Sequence, residues 1–158
     1  MAASENEDNK KPAKAEAPEP ADRISITRHR ATIGGRALAY TATCGTIGLK
    51  EESEKEGKAE AEKATASVFF IAYSLDGAEA PKRPVTFSFN GGPGSSSVWL
   101  HLGVLGPKRV ALDDEGRAPP PPYTLVDNEL SLLDRSDLVF IDPVGTGYSR
   151  MVAGEKVK

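Results

Sequence analysis

Apolar and polar positions alternate through residues 23–47. Ile24, Ile26, Ala31 and Ile33 lead into Gly34-Gly35, and Leu38, Tyr40, Ala42 and Cys44 follow at a spacing of two. A period of two marks a strand with one covered face, and paired glycines between two such runs permit the positive φ of a tight turn. The pattern predicts an antiparallel hairpin with strands near 24–33 and 36–47. His29 falls in the first strand and reads as a partly exposed strand residue. Residues 66–73 form a third strand-like run, closed by the turn residues Asp76-Gly77. Two shorter runs follow, one at 85–89 that is apolar apart from Thr86 and Ser88, and one at 137–142 that is apolar between Asp137 and Asp142. That composition suits strands in the middle of a sheet with helices on each face.

Each of these two runs ends in a glycine-rich loop. The first is Asn90-Gly91-Gly92-Pro93-Gly94-Ser95-Ser96-Ser97. The second is Pro143-Val144-Gly145-Thr146-Gly147-Tyr148-Ser149. A helix is predicted from about Ser95 or Ser96 to Gly103, with serines able to cap its free N–H groups and Gly106-Pro107 unable to continue it. A short strand over 109–112, an extended polyproline stretch at 119–122 and an undecided segment at 125–133 follow. Functional loops of open α/β sheets gather at the carboxyl ends of the strands, so the two glycine loops are expected side by side on one rim.

The remaining stretches are polar. Residues 1–22 are rich in Ala, Glu, Lys and Pro and lack aromatics, the composition of a disordered tail. Residues 50–63 are almost all charged or small and read as a solvated insertion between strands, with Glu51/Lys55 able to pair if a helix forms. Residues 152–158 look like a truncated connection. The organisation is therefore a tail at 1–22 and one unit at 23–158.

Composition narrows the function. A net charge of −3 carries no basic stripe, which disfavours nucleic acid as a partner. No apolar run is long enough to span a bilayer, and no signal peptide is visible at the start. The single cysteine, Cys44, excludes an intrachain disulfide and reads as a small apolar strand residue. His29 and His101 are the only histidines, and neither they nor Cys44 have metal-ligand spacing. The first loop lacks the lysine of a P-loop, and Gly145-Thr146-Gly147 is too little for a dinucleotide fingerprint, so no cofactor is expected.

Glycines at 91, 92 and 94 let the backbone turn sharply and let a ligand approach. Backbone donors gathered at a helix start would hold a developing negative charge, as half of an oxyanion hole does. The same residues are equally readable as a tight structural turn with Asn90 bonded to the backbone.

Phe89-Asn90-Gly91-Gly92-Pro93-Gly94-Ser95-Ser96-Ser97, then Leu105-Gly106-Pro107, then the block from Val139 to Ser149 together resemble the serine carboxypeptidase family. The resemblance is close over the C-terminal half of the chain and extends only to the family's N-terminal part. It implies an α/β fold, an α/β-hydrolase-like sheet whose antiparallel hairpin leads into central strands, here incomplete. It implies a serine-type peptidase that releases C-terminal residues from peptides through an acyl-enzyme. An esterase or acyltransferase on the same scaffold, and a non-catalytic binding module, stand as alternatives. By resemblance, Gly92 N–H is the first oxyanion donor, Gly91 permits the turn, and the Asn90 side chain binds the free carboxylate of the peptide. Trp99 is a core residue by default, and the resemblance adds that it lines the pocket for the departing residue. His101 is expected at the surface or in a second layer.

The block at 142–149 is expected to shape the floor near the nucleophile. Asp142 is expected to hold its glycine turn. Family members are commonly exported or kept in acidic compartments. Three positions depart from the pattern. Ser95 stands where many members have Cys, Val104 stands where a Glu often supports carboxylate recognition, and the turn at Asp142-Pro143 is one residue shorter. No Gly-x-Ser-x-Gly occurs, Ser149 does not sit in such an elbow, and neither histidine follows one. The nucleophile, orienter and base are thus absent from this chain, which alone is expected to be inactive.

Overall fold

The computed structural model describes residues 23–51, 54–55, 58–59 and 63–152. The expected tail at 1–22, much of the charged insertion and most of 152–158 lie outside the described residues. Among the described residues ten strands follow in chain order: β1 (Arg23–Ile33), β2 (Arg36–Glu51), β3 (Glu54–Lys55), β4 (Lys58–Ala59), β5 (Lys63–Leu75), β6 (Val85–Ser88), β7 (Lys108–Val110), β8 (Leu125–Asp127), β9 (Asp137–Ile141) and β10 (Arg150–Met151). Among the described residues helical structure is limited to the short α1 (Val98–Leu100), a π-turn over His101–Leu105 and two 3-10 turns, Ala80–Lys82 and Leu132–Asp134.

The main sheet runs β1-β2-β5-β9-β6, with β10 paired to the start of β5. Pairing is antiparallel from β1 to β9 and parallel between β9 and β6. Gly34 and Gly35, both at positive φ, turn β1 into β2. That turn is docked: Gly34 N donates to Glu129 O and Gly35 N to the Glu129 carboxylate. β2 and β5 pair along nearly their whole length, so both run well past the stretches that alternate in the sequence.

Register puts directly opposed residues on one face. One row reads Thr27, Ala42, Tyr73, Leu138, Thr86. The core lies on this face, where Ala31, Ile33, Tyr40, Leu133, Leu138 and Phe140 are buried and Leu100 and Leu105 pack over them. The next row, on the opposite face, reads Ile26, Thr43, Ala72, Val139, Phe87. Nothing among the described residues covers its ends, and Ile26 and Phe87 are 65% and 63% exposed.

This corrects one expectation. The run at 85–89 is not in the middle of the sheet: β6 has β9 on one side and no partner on the other among the described residues. Its apolar residues, Val85, Phe87 and Phe89, share the outer face and are all exposed, whereas Thr86 and the buried Ser88 face the core. β9, by contrast, is flanked on both sides.

The predicted helix also differs. It begins three residues after Ser95 and gives way at His101 to a π-turn closed by Gly106 N donating to His101 O. A Cβ at Gly106 would stand 2.3 Å from that carbonyl, so the chain can close this wide turn only with glycine. Three residues of α-helix sum to almost no macrodipole, so the field of a helix end contributes little here. The undecided segment at 125–133 resolves into β8, paired with β7, followed by the 3-10 turn.

Candidate functional site at two linked glycine loops

Because β6 and β9 are parallel neighbours, their carboxyl ends open onto one rim, and both glycine loops leave from it. Asp142 follows β9 directly and is buried. Its Oδ1 accepts from both Ser97 N, at 2.9 Å, and Ser97 Oγ, at 2.8 Å. Its Oδ2 accepts from Tyr148 N at 3.1 Å. The carboxylate therefore reaches across to the first loop while holding its own. Ser97 stands at the N-cap of α1 but does not cap it, because its hydroxyl is committed to Asp142.

Behind this contact sits Ser149, wholly buried. Its hydroxyl donates to Asp142 O at 2.7 Å and accepts from Phe69 N at 2.8 Å. Phe69 O in turn accepts from Asp142 N. The bonded hydroxyl ties β9 to β5 and is not free to attack a substrate.

In the first loop, Gly91 and Gly92 are exposed, and neither amide donates to another group among the described residues. Gly92 has φ +71 and Gly94 φ +90, values open to glycine and strained for other residues. Asn90 is half-buried and its Nδ2 donates to Ser95 Oγ at 2.9 Å, closing the loop on itself through side chains and leaving one N–H of the amide. The loop is thus fastened at 90–95 and at 97, with the 91–92 amides between.

Trp99 is 69% exposed, so it is not a core residue. It stands in the middle of the three-residue α1. His101 reverses the other expectation: it is 8% exposed and lies inside. Its Nε2 shares a 2.6 Å hydrogen bond with the Tyr73 hydroxyl, and its ring centroid is 4.8 Å from that of Phe140. Burial lowers the His101 pKa to about 4, against a smaller raising effect of the Asp142 charge. Burial likewise raises the pKa of Tyr73. His29 is exposed and bonded to Thr27. Cys44 is free and half-buried in β2.

Sequence reading missed Asn128. It is buried, its Nδ2 donates to both Val104 O and Gly106 O at 2.8 Å, and its own N donates to Pro107 O. It holds the π-turn, and its only signal in the sequence was a lone Asn inside the undecided segment at 125–133. Val104 itself is exposed. Among the described residues no group of three His, Cys, Asp or Glu is placed to hold a metal ion. A mostly apolar cavity of about 540 Å³ lies beyond Tyr148, against Ile24, Cys44, Thr46 and Phe69, and no residue of 90–97 lines it. The chemistry concentrates at the loops and not there.

Comparison with known proteins bears on these loops. The profile of the serine carboxypeptidase family matches residues 51–157, more than half of the chain and both glycine loops. A pheromone-processing carboxypeptidase, KEX1, of Vanderwaltozyma polyspora is 41% identical over 86 residues, covering 54% of this chain and 10% of that protein. The crystal structure of Kex1(delta)p, a prohormone-processing carboxypeptidase from Saccharomyces cerevisiae, superposes with a TM-score of 0.51 at 32% identity, covering 70% of this chain and 20% of that one. The chain thus spans about a tenth of the curated relative's length and about a fifth of the solved one's.

Proposed function

The chain belongs to the serine carboxypeptidase family, and we propose that it supplies the oxyanion-hole and substrate-carboxylate loop of a serine-type hydrolase. That hydrolase releases C-terminal residues from peptides through an acyl-enzyme. Gly92 N–H donates to the tetrahedral oxyanion, and Gly91 gives the turn that aims it. The remaining N–H of Asn90 binds the terminal carboxylate of the peptide. Trp99 borders the pocket for the departing residue, which its exposure leaves room for. The domain is an α/β-hydrolase sheet of which this chain forms the N-terminal part.

One observation carries the reading. The amides of Gly91 and Gly92 are exposed and undonated among the described residues, while the loop around them is fastened by Asn90–Ser95 and Ser97–Asp142 bonds. Exposed and undonated, those two amides are accessible to a ligand oxygen while the loop that carries them is held in place. In the chain order of the fold the Ser, Asp and His of a triad follow this loop, and no Gly-x-Ser-x-Gly occurs in the 158 residues. The test is release of C-terminal amino acids from blocked dipeptides by the full gene product. Release blocked by serine-directed inhibitors is expected, and its absence rejects the proposal.

Val104 favours a second reading. An apolar, exposed side chain stands where a carboxylate-recognising Glu is common in the family. An esterase or acyltransferase would need no such group. Matched ester and amide substrates separate the two, since a carboxypeptidase loses rate when the free carboxylate is blocked.

A further inference from the structure

We infer that Asp142 is a positioning residue that sets the oxyanion loop, and that the block from Gly147 to Ser149 exists to hold it there. The inference deepens the proposed function and rests on that reading for its catalytic consequence. Its structural half stands on geometry alone.

The buried carboxylate takes three donors from two loops: Ser97 N and Oγ on one oxygen, Tyr148 N on the other. Among the described residues no cation pairs with it. A buried carboxylate held only by hydrogen bonds keeps its site by orientation, so each donor fixes the loop that carries it. Gly147 is dictated by the same contact. A Cβ there would stand 1.7 Å from Asp142 Oδ2, and its φ is +47. Only glycine lets the second loop close over the carboxylate. Ser149 then locks the main chain of Asp142 to β5 through Phe69. The block at 142–149 is therefore the anchor of the first loop. The sheet is the rigid body, Asp142 the link, and Ser97 the point where the loop is pinned, five residues from Gly92.

An oxyanion donor works only where the charge develops, and a displacement near 1 Å costs about a hundredfold. Loosening the link therefore lowers kcat more than it weakens substrate binding, because Asn90 keeps its own bond to Ser95. Asp142→Asn keeps an acceptor for Ser97 and turns an N–H₂ group toward the Tyr148 N–H. Ser97→Ala removes only the hydroxyl bond and leaves a foldable control.

The experiment is run on the full gene product with two readouts. Hydrogen exchange follows residues 94–100 against β5. Kinetics on a blocked dipeptide, with a peptide aldehyde as oxyanion-forming inhibitor, follows the site. In Asp142→Asn we expect exchange at 94–100 to quicken at least about tenfold with β5 unchanged. We expect kcat to fall about tenfold to a hundredfold, aldehyde affinity to fall with it, and KM to stay within about twofold. Ser97→Ala should show the same pattern more weakly. Unchanged exchange at 94–100 in both variants overturns the inference, as does a KM effect with kcat intact. If the unaltered protein hydrolyses nothing, the proposed function fails, and the exchange readout still decides whether Asp142 holds the loop.

Discussion

The hydroxyl of Tyr73, on β5, and Nε2 of His101, in the turn after α1, share a hydrogen bond of 2.6 Å in the core. The pair ties the segment bearing the first glycine loop to the centre of the sheet. It also gives the fold a built-in response to acid. In the unfolded chain His101 takes up a proton near pH 6.5, whereas in the folded chain it does so only near 4. Between those values the unfolded state binds more protons, so stability falls as pH falls. The loss reaches on the order of 3 kcal/mol by pH 4. Urea unfolding measured from pH 7.5 to 4 should show this slope, and it should flatten in His101→Leu.

Tyr73→Phe removes the hydroxyl and leaves His101 Nε2 buried with no partner. An orphaned polar atom of this kind costs about 1–3 kcal/mol. Thermal denaturation at pH 7.5 should register that loss. A change below about 0.5 kcal/mol would mean that water reaches His101.

Gly147→Ala should be far more damaging than Gly77→Ala. Both glycines have positive φ, 47° and 73°, but a Cβ at Gly77 meets nothing within 4 Å while one at Gly147 strikes the Asp142 carboxylate. Backbone strain alone accounts for about 1 kcal/mol at Gly77. The added clash should take Gly147→Ala to about 2–4 kcal/mol. Paired chemical denaturation curves measure the difference.

Trp99 is the only tryptophan, so its emission reports one site. Exposure of 69% predicts a red-shifted spectrum that iodide quenches readily. Trp99→Ala should change stability by no more than about 0.5 kcal/mol, since little packing is lost. Under the proposed function, the same substitution should shift the C-terminal residue that the full gene product releases most readily.

The outer face of the sheet should make the isolated chain associate. Ile26 and Phe87 lie exposed at the two ends of one row, and β6 has a free edge among the described residues. Such surfaces pair with whatever apolar partner is available. Sedimentation of the 158-residue chain should show oligomers, and Ile26→Thr with Phe87→Thr should shift the distribution toward monomer without altering the circular dichroism spectrum.

Strands and loops were legible because their signals are local. The two-residue period with Gly34-Gly35 marks β1 and β2, and β-branched runs mark β5, β6 and β9. Glycines announce the turns, because positive φ is a property of one residue. The family could be named from two short blocks for the same reason. The long reach of β2 and β5 was not legible, since Lys50 and Glu51 extend the strand only by pairing with Ala64 and Lys63 at the far end of the charged insertion.

What tertiary structure decided lies in contacts between distant positions. Ser97 and Asp142 are 45 residues apart, and nothing near either one shows that a serine at a helix start will spend its hydroxyl on another loop. Arg83 sits in a proline-bracketed connection, yet it forms a half-buried bridge to Asp137 at 2.9 Å and donates to Leu133 O. Trp99 and His101 exchanged their expected places because hydrophobicity ranks side chains, while burial depends on which way a short turn faces. Here the turn faces Tyr73 and Phe140, whose pocket has a polar end that suits an imidazole. Sequence alone thus determined which segments extend and where they turn. Which surfaces they share, and so where each carboxylate and amide points, required the sheet to assemble, because that outcome is a sum over pairings that no single stretch contains.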